Sequence, residues 1–320
     1  MSPMKLEVNK ANNGFLIALA SAVVLSFTGI IIKLVSEEYH LPALILAFWR
    51  DFFVVLCAFP FLFFLKPGLL IVQKSNKVFL IIFGIALACF NIAWTMAVTL
   101  SGASIATVLV YSSAGFTALL GHFLFKESLG LKKMASVTLC LAGCVLVSGA
   151  TNLEAWQQNT LGIVSGIFSG LLYAIYSLFG RHATQRGLNP WTTLFYSFLV
   201  AAAALLAINL LPVNIIPETA NSFSDLFQLG EQWRAWALLL LLAGGPTLIG
   251  FGLYNISLGL LASSTANLIL TFEPVLTTIT AYFLLSERLT TTELIGSGMI
   301  IVALILLRFR NKTTRRTHST

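Results

Sequence analysis

Apolar residues run along this chain in blocks of about twenty, separated by short polar or Gly- and Pro-bearing breaks. A helix rising about 1.5 Å per residue needs about 20 such residues to cross about 30 Å of hydrocarbon. The blocks predict ten helices, over about 15–35, 43–65, 78–99, 103–125, 132–149, 161–180, 191–211, 235–257, 262–285 and 293–309. Barrel strands would be about half that length and would alternate apolar with polar positions. The expected fold class is therefore all-α and integral to a membrane. Lys5 and Lys10 precede the first block, and Ala18-Leu19-Ala20 imitates a cleavage site. Few apolar residues come before that site and the block continues through Ile32, so a retained helix is expected.

Composition agrees with the pattern: 58% of residues are hydrophobic and only 10% charged, whereas soluble domains run near a quarter charged. The net charge of +7 does not point to nucleic acid, because the cations follow the loops. With the N-terminus inside, the inner segments collect Lys5, Lys10, Lys66, Lys74, Lys77, Lys126, Lys132, Lys133, Arg181, Arg186 and the C-terminal basic run, while the outer segments hold only Arg234 and Arg288. That asymmetry predicts both termini on the cytoplasmic side. Cys57, Cys89, Cys140 and Cys144 all fall within spans; Cys140 and Cys144 share a helix face, but nothing nearby completes a metal site, so packing is the expected role.

The chain also repeats itself. A shift of 148 places Gly14, Ala18, Ala22 and Ser26 on Gly162, Gly166, Gly170 and Ala174, and Pro42 on Pro190. A shift of 160 later places Gly84 on Gly244, Trp94 on Tyr254, Ser104 on Ser264 and Glu127 on Glu287. Five helices per half is an odd number, so the halves must cross the membrane in opposite senses. The expected organisation is a cytoplasmic tail (1–13), a first five-helix repeat (14–150), a linker (151–160), an inverted second repeat (161–309) and a basic tail (310–320). Inverted repeats are a frequent construction of secondary transporters. The small-residue ladders would let helices approach closely, either as fixed packing or as faces on which the halves rock, and Pro246 among Gly244, Gly245, Gly250 and Gly252 predicts a bend or hinge.

The tracts 103–146 and 263–306, each running from small residues through an apolar helix to a Glu-x-Leu turn and another helix, resemble paired EamA-type domains of the drug/metabolite transporter superfamily. Phe48-Trp49-Arg50 is similar to the second helix of that family, and Leu270–Val275 with Leu284-Leu285-Ser286-Glu287-Arg288-Leu289 to its ninth. The first half departs from the pattern with Ser113-Ala114 where the second carries Glu273-Pro274. The resemblance implies a ten-helix carrier of small metabolites, often an exporter.

Candidate chemistry lies in the residues that lipid should reject. Glu273 falls near the middle of the ninth helix, where an ionised carboxylate costs roughly 2.5–3.5 kcal/mol on insertion scales. It therefore needs a polar cavity, a cation or a bound proton. Pro274 lacks an N–H and would crowd the carbonyl of Leu270, adding a polar spot to the translocation path. Arg50 and Asp51 occupy helix two; sequence neighbours point about 100° apart on a helix, so each is expected to need another partner. One alternative locks Arg50 to Glu273; another gives Glu273 to a proton or a substrate amino group and Arg50 to a substrate carboxylate. Lys33, near the outer end of helix one, would snorkel.

Asn91, Trp94, Tyr111, Tyr173, Tyr176, Asn255 and Asn267 are candidates for the cavity lining. Aromatic walls with few charges suit amino acids or amphiphilic cations better than polyanions. No His-Glu-x-x-His pattern, phosphate loop or catalytic triad stands out, which disfavours an enzyme, and a scaffold would need neither inverted halves nor a carboxylate at half depth. The expected partners are a small-molecule substrate, the lipid bilayer and a coupling proton, with no cofactor, metal or nucleic acid; oligomeric state is not legible.

Overall fold

The computed structural model describes residues 3–101, 103–148, 160–211, 219–220, 222–285 and 290–313. Glu287 and the side chains of Lys33 and Ser104 lie outside the described residues, as do nearly all of the linker and the end of the basic tail. The fold is all-α and multi-pass: among the described residues seven helices are long and apolar enough to cross a membrane.

Among the described residues thirteen α-helices follow one another: α1 (Pro3–Tyr39), α2 (Ala43–Leu65), α3 (Lys74–Ser101), α4 (Ala103–Tyr111), α5 (Ser113–Phe125), α6 (Leu131–Val147), α7 (Thr160–Gln185), α8 (Pro190–Asn209), α9 (Trp233–Leu242), α10 (Leu248–Leu260), α11 (Ser263–Leu270), α12 (Glu273–Leu285) and α13 (Thr291–Thr313). Proline stands at the start of α1, α2 and α8, where its missing N–H costs little: Pro3 opens α1, Pro42 caps α2 and Pro190 opens α8, where the Asn189 side chain also accepts from the Trp191 N–H at 2.9 Å.

Three blocks that sequence periodicity draws as continuous helices are interrupted. The fourth block breaks at Ser112 and the ninth at Thr271-Phe272, near equivalent positions of the repeat. Both breaks tighten into i→i−3 bonds, Ser112 N–H to Leu109 O at 3.1 Å and Thr271 N–H to Leu268 O at 3.3 Å. In each, a hydroxyl also donates to that same carbonyl: Ser112 Oγ at 2.5 Å and Thr271 Oγ1 at 2.6 Å. Pro274 is thus not the disrupter of a running helix. It occupies the first turn of α12, a position that needs no intrahelical N–H bond. Between α9 and α10, Ala243–Thr247 form a wide π turn containing Pro246, with Thr247 Oγ1 returning a hydrogen bond to Leu242 O at 2.8 Å.

Packing interleaves the two halves of the chain. α3 lies on α7 as α1 lies on α10; α7 also meets α4 and α5, as α1 meets α11 and α12; α2 pairs with α8 and α6 with α13. The glycine ladder of α7 makes one of these contacts possible. A Cβ on Gly166 would lie 2.8 Å from Leu109 Cβ, one on Gly170 2.8 Å from Leu109 O, and one on Gly162 2.8 Å from Leu100 Cβ. On the opposite pair, a Cβ on Gly14 would meet Leu260 Cβ at 2.8 Å. Backbones therefore touch where lipid supplies no hydrophobic drive and close dispersion contact must hold helices together.

Candidate functional site

Arg50 and Asp51 stand one-third of the way along α2. Asp51 is fully buried, so its charge needs matching within the protein. The match comes from its own neighbour, contrary to expectation. Arg50 curls back along the helix, its Nε donating to Asp51 Oδ1 at 3.1 Å and its Nη2 lying 3.1 Å from the same oxygen. The 100° divergence of adjacent Cβ atoms is spanned because the guanidinium sits at the end of a long flexible stem. Asn91 of α3 closes the group: Arg50 Nη2 donates to Asn91 Oδ1 at 2.8 Å, and Asn91 Nδ2 donates to Asp51 Oδ2 at 2.8 Å. Among the described residues, Arg50 pairs with these two and not with Glu273, so the Arg50–Glu273 lock is not formed. Arg50, Asn91 and Trp94 line a cavity of about 60 Å³ between α1, α2 and α3, room for a few waters rather than for a solute.

A second polar group joins α5, α7, α10 and α11. Ser113 Oγ donates to Asn267 Oδ1 at 3.1 Å, and Asn267 Nδ2 donates to Ser177 Oγ at 3.1 Å and to Tyr254 Oη at 3.4 Å. Ser177 Oγ and Tyr254 Oη are 2.7 Å apart. Asn255 Nδ2 donates to Tyr176 Oη at 3.3 Å. The Tyr173 ring stacks between Tyr176, 6.2 Å away at 7°, and Tyr254, 6.1 Å away at 17°, with Phe90 at 5.2 Å. The side-chain polar atoms of Ser113, Ser177, Tyr176, Tyr254, Asn255 and Asn267 are thus paired with one another, as buried hydroxyls and amides require.

Glu273 opens α12, immediately after the break. Its carboxylate interacts with the Tyr111 hydroxyl and with Tyr173. Among the described residues it has no cationic partner. Of the seven lining candidates, Asn91 and Trp94 line the cavity beside Arg50, Tyr173, Tyr176, Asn255 and Asn267 belong to the second polar group, and Tyr111 meets Glu273. Ser113, Ser177 and Tyr254 join the second polar group without having been candidates; the repeat register offered a signal for Tyr254, the mate of Trp94, and for Ser113, the mate of Glu273, but none for Ser177.

A third buried charge, Glu127, belongs to the Glu-x-Leu turn of the first repeat, a motif that marks the family without suggesting a polar partner. Glu127 follows α5 and reaches the first residues of α11, and its carboxyl is held below the usual carboxylate range. Burial pushes it up, but hydrogen bonds from Ser263 and Ser264 and the charge of Lys133 outweigh that. Among the described residues no group of three His, Cys, Asp or Glu side chains could hold a metal.

Known proteins share this architecture. A protein of known crystal structure superposes on 95% of the chain, and 99% of its own, with a TM-score of 0.75 at 16% identity, a likeness of fold alone. An uncharacterized transporter of Archaeoglobus fulgidus is 26% identical over 290 residues, 89% of this chain and 93% of the relative. A "Probable amino-acid metabolite efflux pump" of Salmonella typhimurium is 26% identical over 308 residues, 95% of this chain and 98% of the relative. The EamA-like transporter family matches residues 12–149 and 160–309, nearly the whole of both halves, and the chain belongs to that family.

Proposed function

We propose that this protein is a secondary carrier of small organic metabolites, with amino acids as the leading class and export as its direction. It would cross the cytoplasmic membrane ten times as two inverted five-helix repeats (14–150 and 161–309), with both termini inside, and work by alternating access. The exchange of helix pairings between the halves supports the inverted repeat, the distribution of lysine and arginine supports the orientation, and the Salmonella relative's name supports the substrate class.

The observation that carries the reading is Glu273. A carboxylate placed at a helix break, facing tyrosines from both halves and lacking a cationic partner among the described residues, has a charge left for a ligand or a proton. In this reading Glu273 binds the proton or the ligand's amino group. Arg50, oriented by Asp51 and Asn91 at the cavity wall, meets the ligand's carboxylate, and the stacked tyrosines set the shape of the site. An amphiphilic-cation efflux carrier is the second reading, favoured by one feature: Asp51 already matches the charge of Arg50, so a cation lacking a carboxylate would also complete the site.

The test is E273Q in reconstituted vesicles, with flux measured with and without a pH gradient. Loss of gradient-driven flux, with unfolding temperature near that of the wild type, is the expected result; unchanged gradient-driven flux removes Glu273 from coupling. A thermal-shift screen against amino acids, amines, nucleosides and sugars finds the solute, since a ligand that prefers the folded state raises the melting temperature. Stabilisation by quaternary amines but not by amino acids selects the second reading.

A further inference from the structure

We propose that Glu127 is a positioning residue of the transport cycle, a releasable latch that joins the two halves at one end of the bundle. The inference rests on the carrier reading above.

The local geometry is specific. Lys126 ends α5 in the left-handed conformation, φ 54°, and the Glu127 N–H bonds back to Gly121 O at 3.2 Å. This turn folds the Glu127 side chain over Gly121, where an added Cβ would lie 3.0 Å from the carboxylate. From there both carboxylate oxygens cap the start of α11. Ser263 N–H and Oγ donate to Oε1 at 2.7 Å and 2.5 Å. Ser264 N–H donates to Oε2 at 3.2 Å, and so does Ser264 Oγ. Lys133 of α6 lies 3.6 Å from Oε2 and also donates to Ser264 Oγ.

Three features make this a latch rather than a fixed cap. First, its partners are 136 and 137 residues away in the other half, so any separation of α5 from α11 breaks all four donor contacts together. Second, α11 is a short unit of eight residues, bounded by extended Ala262 and by the break at Thr271-Phe272, and α5 starts at the corresponding break; each can tilt without bending a long helix. Third, Glu127 sits in the connection between helices at the end of the bundle that carries Lys126 and Lys132. Water there can rehydrate the released carboxylate, whereas no such relief reaches the buried Asp51. The cavity beside Arg50 and Trp94 involves the C-terminal part of α1 and the start of α2, at the other end of the bundle.

Hydrogen–deuterium exchange of the full-length protein in lipid nanodiscs tests the latch without any ligand. In E127Q, amides of 263–266 are expected to exchange roughly tenfold faster, while amides at the opposite end, 41–46 and 222–232, exchange more slowly because the population shifts toward the other facing state. E127D should restore most of the wild-type pattern, and S263A/S264A, which leaves the carboxylate in place, should reproduce the E127Q pattern should that variant fail to reach the membrane. Faster exchange near 263–266 with no slowing at the opposite end would make Glu127 a static helix cap and overturn the proposal. Wild-type vesicles that carry none of the screened solutes while the reciprocal exchange persists would overturn the carrier reading alone.

Discussion

Asp51 and Glu273 are both carboxylates inside the helix bundle, and their surroundings could hardly differ more. Asp51 is matched by a guanidinium and an amide in a closed ring of three side chains. Glu273 faces tyrosines. The first arrangement matches the charge of Asp51 within the protein, holding α2 to α3 and fixing Arg50 at the cavity wall; the second leaves the charge of Glu273 in hand for something that comes and goes. A charged residue in a membrane protein is thus a functional candidate by default, but its partners decide whether it is structural or working.

The largest effect expected from this contrast is on folding. D51A leaves Arg50 buried without its counter-charge and should lower stability by about 3–5 kcal/mol, read as a fall in unfolding temperature in detergent. R50L/D51L, which removes both charges, should recover much of that loss; a double variant as unstable as D51A would mean that Asp51 acts through something other than Arg50. N91A keeps the pair but leaves its hydrogen bonds short of one partner, and should cost about 1–3 kcal/mol. If N91A instead impaired flux at unchanged stability, Asn91 would act by orienting Arg50 toward the ligand rather than by holding α2 to α3.

Glu127 offers a pH readout on the third carboxylate. Its folded-state value is depressed below the ordinary 4.5, so its contribution is complete above that pH and fades as pH falls through the lower folded value. Acid unfolding of the wild type should therefore steepen below about pH 4.5, and E127Q should flatten that limb. The smallest effect belongs to P274A. Pro274 lies in the first turn of α12, where no intrahelical bond is lost or gained, so the change should cost less than about 1 kcal/mol. A gain approaching the ~3 kcal/mol that a helix-interior proline costs would mean that α11 and α12 form one continuous helix in the membrane.

What could be read along the chain followed from local physics. Runs of apolar residues place the helices, because each segment must satisfy its own backbone in lipid; the ladder Gly162, Gly166, Gly170 announces close packing, because small residues at every fourth position share one face. The repeat and its Glu-x-Leu turns carried the family, and Glu273 stood out because a lone acid in an apolar run conflicts with its surroundings. By contrast, the break at Ser112 has no proline to announce it, and Pro274 suggested a disrupted helix when it begins a new one.

Only the tertiary structure decided which polar side chains meet. Arg50 could have reached for Glu273, yet α3 brings Asn91 beside Asp51 and the ring closes there. Glu127, inconspicuous in its loop, finds Ser263 and Ser264 from the far half, and Ser113, Asn267 and Ser177 link three helices. Hydrophobic periodicity is a property of neighbours along the chain, so a single sequence displays it. The partner of a buried polar group depends on which helices lie side by side, and that is settled by packing among residues tens to more than a hundred positions apart.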